Sequence, residues 1–148
     1  AGILTFVVGQ VIVRIYLEPV QHFRSLVGET SVSLINYGIL GSEEEENSVA
    51  LYGDASQELR LLASKLEAGT YLIPNYDRTA RIFKLPSKPD VYEAVACLLE
   101  ISRTLGNLSH LSGSHVFKYY NNSQAEKVRG LLRIYVPDSD NIIQDSKA

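Results

Sequence analysis

The apolar positions of this chain form one long greasy run at the start and then settle into helical period. Residues 3 to 23, ILTFVVGQVIVRIYLEPVQHF, are branched and aromatic apolar residues interrupted by Gln10 and Arg14 and halted at Glu18-Pro19. As a helix, residues 1 to 17 reach about 26 Å at ~1.5 Å per residue, a little short of the ~30 Å hydrocarbon layer of a bilayer. Arg14 is near enough to the end of the run to snorkel toward headgroups, and Tyr16 suits the same depth. Gln10 is the member that fits least well. Pro19 removes a hydrogen bond and crowds the preceding turn, which predicts a kinked continuation rather than a stop. Beyond it Val20, Phe23, Val27, Thr30, Leu34 and Gly38 recur at three- and four-residue steps, extending the helix to about Leu40.

GSEEEENSVALYGD, residues 41 to 54, mixes glycines with four glutamates and reads as an exposed connection. A second helix follows, capped by Asp54 or Ser56, with Leu59, Leu62, Ala63, Leu66 and Ile73 on one face, until Pro74 ends it. NYDRTARIF, residues 75 to 83, predicts a short helical segment before the prolines of KLPSKP. Ser87, Pro89 and Asp90 then give a hydroxyl cap, an early proline and an acid in the first turn of the next helix. Its stripe is Val91, Val95, Leu98, Ile101 or Ser102, and Leu105, and Gly106-Asn107 stops it. SHLSGSHVFKYYNN, residues 109 to 122, is turn-rich. Asn122 or Ser123 caps a last helix carrying Val128, Leu131, Leu132 and Tyr135, which Pro137 ends. The remainder is a polar tail apart from Ile142-Ile143.

No clean strand alternation and no repeat occurs, so the pattern predicts an all-α fold. The architecture is an antiparallel helical bundle of about four helices with a long, Pro-kinked and membrane-rooted N-terminal helix. Three parts follow: a transmembrane or buried hydrophobic helix over 1–17, a helical bundle domain over 18–136 and a polar C-terminal tail over 137–148. The chain has no methionine, even at position 1, which predicts that the hydrophobic run begins upstream of Ala1.

Composition narrows this only slightly. An apolar content of 45% with 21% charged residues is that of a folded chain. A net charge of −3 gives no reason to expect nucleic acid, whose binding needs clustered Lys and Arg. Cys97 alone cannot build a disulfide framework and fits a reducing compartment.

Over LEPVQHFRSLVGETSVSLINY, residues 17 to 37, directly after the hydrophobic run, the chain resembles small bacterial proteins of uncharacterised function. Weaker echoes lie in ASQELRLLASKLEAGTYLIP and in the helix after SKPD. The resemblance implies an N-terminal membrane helix followed by a helical domain, and brings no activity with it.

Two sets of residues are candidates for chemistry. Arg14, Glu18, His22, Ser25, Glu29, Ser33 and Asn36 fall within roughly a 100° stripe of one helix. Such a row pairs Arg14 with Glu18 and Glu18 with His22, forms a polar contact with a partner, or is the solvated back of an amphipathic helix. Arg78, Arg81, Lys84 and Lys88 gather at a bend, where they face anionic lipid or simply cover a solvated turn. Metal chemistry lacks support: Glu18 and His22 are four apart, where di-metal carboxylate bundles use Glu and His three apart. His110 and His115 flank a glycine-containing loop without a full zinc set, and Cys97 reads as a small, partly buried thiol. No phosphate-binding glycine loop or GxSxG elbow occurs, and no cofactor is implied.

The sequence therefore predicts a non-enzymatic, single-pass membrane-tethered helical domain that faces the cytosol. It would act by contact with an unidentified protein or with its own copies, and touch the bilayer through residues 1–17. The alternative is a soluble adaptor or regulator whose residues 3–17 are buried in its own core or a dimer interface. A third reading, an enzyme using Glu18, His22 and Glu29, requires those side chains to converge on a pocket.

Overall fold

The computed structural model describes the backbone of residues 2–40, 48–108 and 115–134, and the side chains of residues 2–36, 52–107 and 121–134. Among these the fold is all helix. Gly2–Ile12 (α1), a π-helical turn Val13–Leu17 and Glu18–Leu40 (α2) follow one another without a break. The π-helical turn lies directly before Pro19 for a physical reason. A proline has no N–H to offer the turn above, and its ring crowds the carbonyl four residues back. The helix answers by widening: the Glu18 N–H donates to the Val13 carbonyl five residues upstream, the spacing of a π-turn. The expected continuation through Pro19 is thus achieved by an extra residue in the turn.

Ser48–Leu72 (α3), the short Tyr76–Phe83 (α4), Lys88–Leu108 (α5) and His115–Leu131 (α6) complete the described elements. Helices α2 and α3 run antiparallel, since Ser33 bonds Glu58 near one end and Gly69 abuts Phe23 near the other. Helices α3 and α5 are likewise antiparallel and are locked by two serines. Ser56 Oγ donates to the Ser102 carbonyl at 2.8 Å and Ser102 Oγ to the Ser56 carbonyl at 2.8 Å. These reciprocal bonds satisfy both buried hydroxyls at a close approach. Helix α6 packs on α5, with Lys127 paired to Glu93 at 2.8 Å.

The core is the set of faces that helical period singles out. Val20, Phe23 and Leu34 of α2, Leu59, Leu62, Ala63 and Leu66 of α3, Ile73 just beyond α3, Val91, Val95, Leu98, Ile101 and Leu105 of α5, and Val128 of α6 are all buried. Phe23 meets Tyr76 edge to face with centroids 5.9 Å apart, the favoured arrangement of two rings.

Helix ends depart from expectation in three places. Helix α3 begins at Ser48, upstream of the expected caps Asp54 and Ser56. Packing of Tyr52 and Ala55 on the core outweighs the ~1 kcal/mol helix cost of Gly53. Helix α6 begins at His115, not at Asn122 or Ser123. It also stops at Leu131, before Pro137, because Arg133 turns left-handed at φ 56°. The Ile134 N–H then closes on the Arg129 carbonyl at 2.9 Å and the Arg133 N–H on the Gly130 carbonyl at 3.2 Å, a Schellman stop. The start of α5 is as expected: the Ser87 N–H donates to Asp90 Oδ2 at 3.2 Å and the Asp90 N–H to Ser87 Oγ at 3.3 Å, a capping box. Tyr135, the tail from 137 and the boundary at 136 lie outside the described residues.

Every side chain from Gly2 to Leu17 is exposed. Ile3 is 84% and Phe6 67% accessible, although both are large and apolar. An 18-residue window within Gly2–Asn36 has a mean hydropathy of 1.6, long and apolar enough to cross a membrane. Among the described residues, none buries the side chains of residues 3–17.

Candidate functional site

Two surfaces stand out, one between α2 and α3 and one at the end of the bundle that α2 enters. The first is an open groove of about 630 Å³ lined by Ser25, Gly28, Glu29, Val32, Ser33, Glu58, Leu61, Leu62 and Lys65. Gly28 leaves open space above the backbone, since an added Cβ there meets nothing within 4 Å. Val32 and Leu61 stay exposed to solvent on its two walls, and charge is kept to Glu29, Glu58 and Lys65. An apolar trough edged by a few charges suits an amphipathic helix or an extended apolar segment.

The polar stripe divides against this frame. Ser25 and Glu29 line the groove. Ser33 is not on a solvated back: it is buried and donates to Glu58 Oε1 at 2.5 Å. Arg14, Glu18, His22 and Asn36 are exposed and lie outside the groove lining. No ion pair joins Arg14 to Glu18 or Glu18 to His22, which corrects that pairing. For Arg14 and Glu18 the physical reason is the π-turn between them, whose extra residue breaks the four-residue stacking on which the pair depends. Glu18 and His22 are both solvent-exposed in regular α2, where such a pair gains little. Of Glu18, His22 and Glu29, only Glu29 lines the groove, while Glu18 and His22 are exposed outside it.

The second surface holds the basic cluster. Arg78, Arg81 and Lys84 are exposed on and just after α4. Lys88 Nζ stands 5.2 Å from the centre of the Tyr71 ring and 5.7 Å from that of Tyr92, within cation–π range. The Tyr92 hydroxyl donates to the Tyr71 hydroxyl at 3.2 Å. Arg24, outside the cluster foreseen from sequence, reaches across to donate to the Phe83 carbonyl at 2.7 Å and pins α4 to α2. The two tyrosines and the Arg24 contact to Phe83 went unseen because they join distant elements and leave no local spacing to read. The groove wall on α3 was missed for the same reason.

Cys97 is buried on α5. Burial pushes its thiol above the usual range, with Glu93 and Glu100 adding to the rise and Lys127 opposing it, so it is a poor nucleophile at neutral pH. His110 lies outside the described residues, and His115 opens α6. Among the described residues no three of His, Cys, Asp and Glu come close enough to hold a metal ion.

No family model, curated protein or solved structure matches the chain. No match supports the likeness to small bacterial proteins read from residues 17 to 37.

Proposed function

We propose that this chain is a membrane-tethered helical domain that works by contact, with another protein or with its own copies, and not by catalysis. The observation that supports it is the run Gly2 to Leu17, apolar but for Thr5, Gln10 and Arg14 and exposed throughout, yet continuous with the first helix of a well-packed bundle. Leaving so many large apolar side chains in water forfeits about 25 cal/mol for each Å² that could be covered. A bilayer covers all faces of a lone helix at once, which a partner on one side does not. The domain lies on the cytosolic side in this reading, because Arg14 and Arg24 fall beside the span. The groove between α2 and α3 supplies the contact face.

The test is extraction of the full chain from cell membranes with alkaline carbonate, followed by crosslinking. Retention in the membrane pellet is the expected result, together with a crosslinked product that Leu61→Asp abolishes while the helical circular dichroism is unchanged. Release into the supernatant would overturn the tether and favour the soluble alternative, in which a dimer interface covers residues 3–17.

A further inference from the structure

We infer that the end of the bundle next to the apolar helix is itself a membrane-docking face, resting on an anionic leaflet through Tyr71, Leu72 and Ile82 with Arg78, Arg81, Lys84 and Lys88 around them. The inference rests on the tether reading and adds a second, peripheral contact to it. It starts from three side chains that the fold leaves uncovered. Tyr71 is 67%, Leu72 61% and Ile82 75% exposed. Tyr71 and Leu72 are the last residues of α3 and Ile82 lies in the last turn of α4, the short helix that Arg24 ties to α2 at this end of the bundle.

Register fixes where that is. The close approach of Gly69 to Phe23 in the antiparallel pair α2 and α3 sets Leu72 level with Val20. That is about 5 Å along the axis from Leu17, the last residue of the apolar run. The headgroup layer on each side of a bilayer is itself roughly 5–7 Å thick. A helix that crosses the hydrocarbon up to Leu17 therefore brings Leu72 and Tyr71 to headgroup depth with no further movement. Helix α4 is held at the same end, by the Arg24 bond to the Phe83 carbonyl and by Tyr76, whose hydroxyl donates to the Pro86 carbonyl at 3.0 Å.

Charge at this end runs against that of the chain. Arg24, Arg78, Arg81, Lys84 and Lys88 stand here against Glu18, Glu67, Asp77 and Asp90, whereas the whole chain carries −3. Asp90 is further occupied in the capping box. Tyrosine with an adjacent cation is the composition of a membrane interface, the ring at headgroup level and the ammonium on phosphate. Each basic side chain near an anionic leaflet strengthens the contact roughly fivefold. A protein partner would have to compete with the bilayer for a face that the tether already presses against it, so the leaflet is the occupant that the geometry favours.

The full chain in lipid nanodiscs, with Cys97→Ala and single spin labels at Val8→Cys, Leu72→Cys, Ile82→Cys or Arg103→Cys, tests this by accessibility to oxygen and to an aqueous nickel chelate. In bilayers of phosphatidylcholine with phosphatidylglycerol, labels at 72 and 82 are expected to be shielded from the chelate and the label at 103 freely accessible. Pure phosphatidylcholine, or the triple variant Arg78→Glu, Arg81→Glu and Lys84→Glu, is expected to restore access at 82. Labels at 72 and 82 as accessible as that at 103, with the label at 8 deep in hydrocarbon, would overturn the docking face alone and leave it for a protein. Shielding that ignores lipid charge would overturn it as well. A label at 8 that stays in water defeats the tether, and this inference with it.

Discussion

At Gly69 a methyl group would lie 2.9 Å from Cδ2 of Phe23, and that ring cannot swing aside because it is buried against Tyr76. Gly69→Ala is expected to lose about 1–2 kcal/mol of stability in urea unfolding, overpacking outweighing the gain in helix propensity. Gly28→Ala, with open space above it, is expected to gain up to ~1 kcal/mol by the same measurement. Tyr76 gives a pH prediction. Burial, helped by Asp77 and Asp90, raises its hydroxyl from 10.0 to about 12. Below pH 10 the group is protonated in both folded and unfolded chains and has no effect on the slope. Between pH 10 and 12 the unfolded chain releases a proton that the folded one retains, so stability falls as pH rises through this window. Tyr76→Phe is expected to flatten that fall in unfolding curves taken across it.

Among the elements, helix faces were legible in sequence because a 3.6-residue period sorts core from solvent residue by residue. The stripes of α3 and α5 became core almost unchanged. Ends were less legible, for two different reasons. The start of α5 is written locally in Ser87 and Asp90, and Ser87→Ala is expected to cost about 1 kcal/mol in thermal unfolding. The start of α3 is decided at a distance, by what Tyr52 and Ala55 pack against, and no window around Gly53 contains that. The candidate surfaces divide in the same way. Arg78, Arg81, Lys84 and Lys88 are neighbours in sequence and were read as a group, while Tyr71 with Tyr92, and Ser33 with Glu58, meet only once helices pack.

For the whole molecule, the feature with the widest reach is the absence of a joint between the apolar helix and the bundle. Spin labels at Val8→Cys and Arg103→Cys are expected to give a narrow distance distribution by pulsed electron resonance. Inserting Gly-Gly-Ser-Gly between Leu17 and Glu18 is expected to broaden it, since glycine is among the weakest helix formers. The sequence could say that the opening run needs shelter but not that the described residues of the bundle leave it exposed, because that depends on where the other helices pack.

The unbroken rod also acts as a ruler. Gly28 and Val32 lie about 16 to 23 Å along the axis beyond Leu17, and an upright rod holds the mouth of the groove at that altitude above the hydrocarbon. Whatever binds there must be of matching stature: a neighbour whose own reach ends at the headgroups passes beneath it, and one standing too tall passes above.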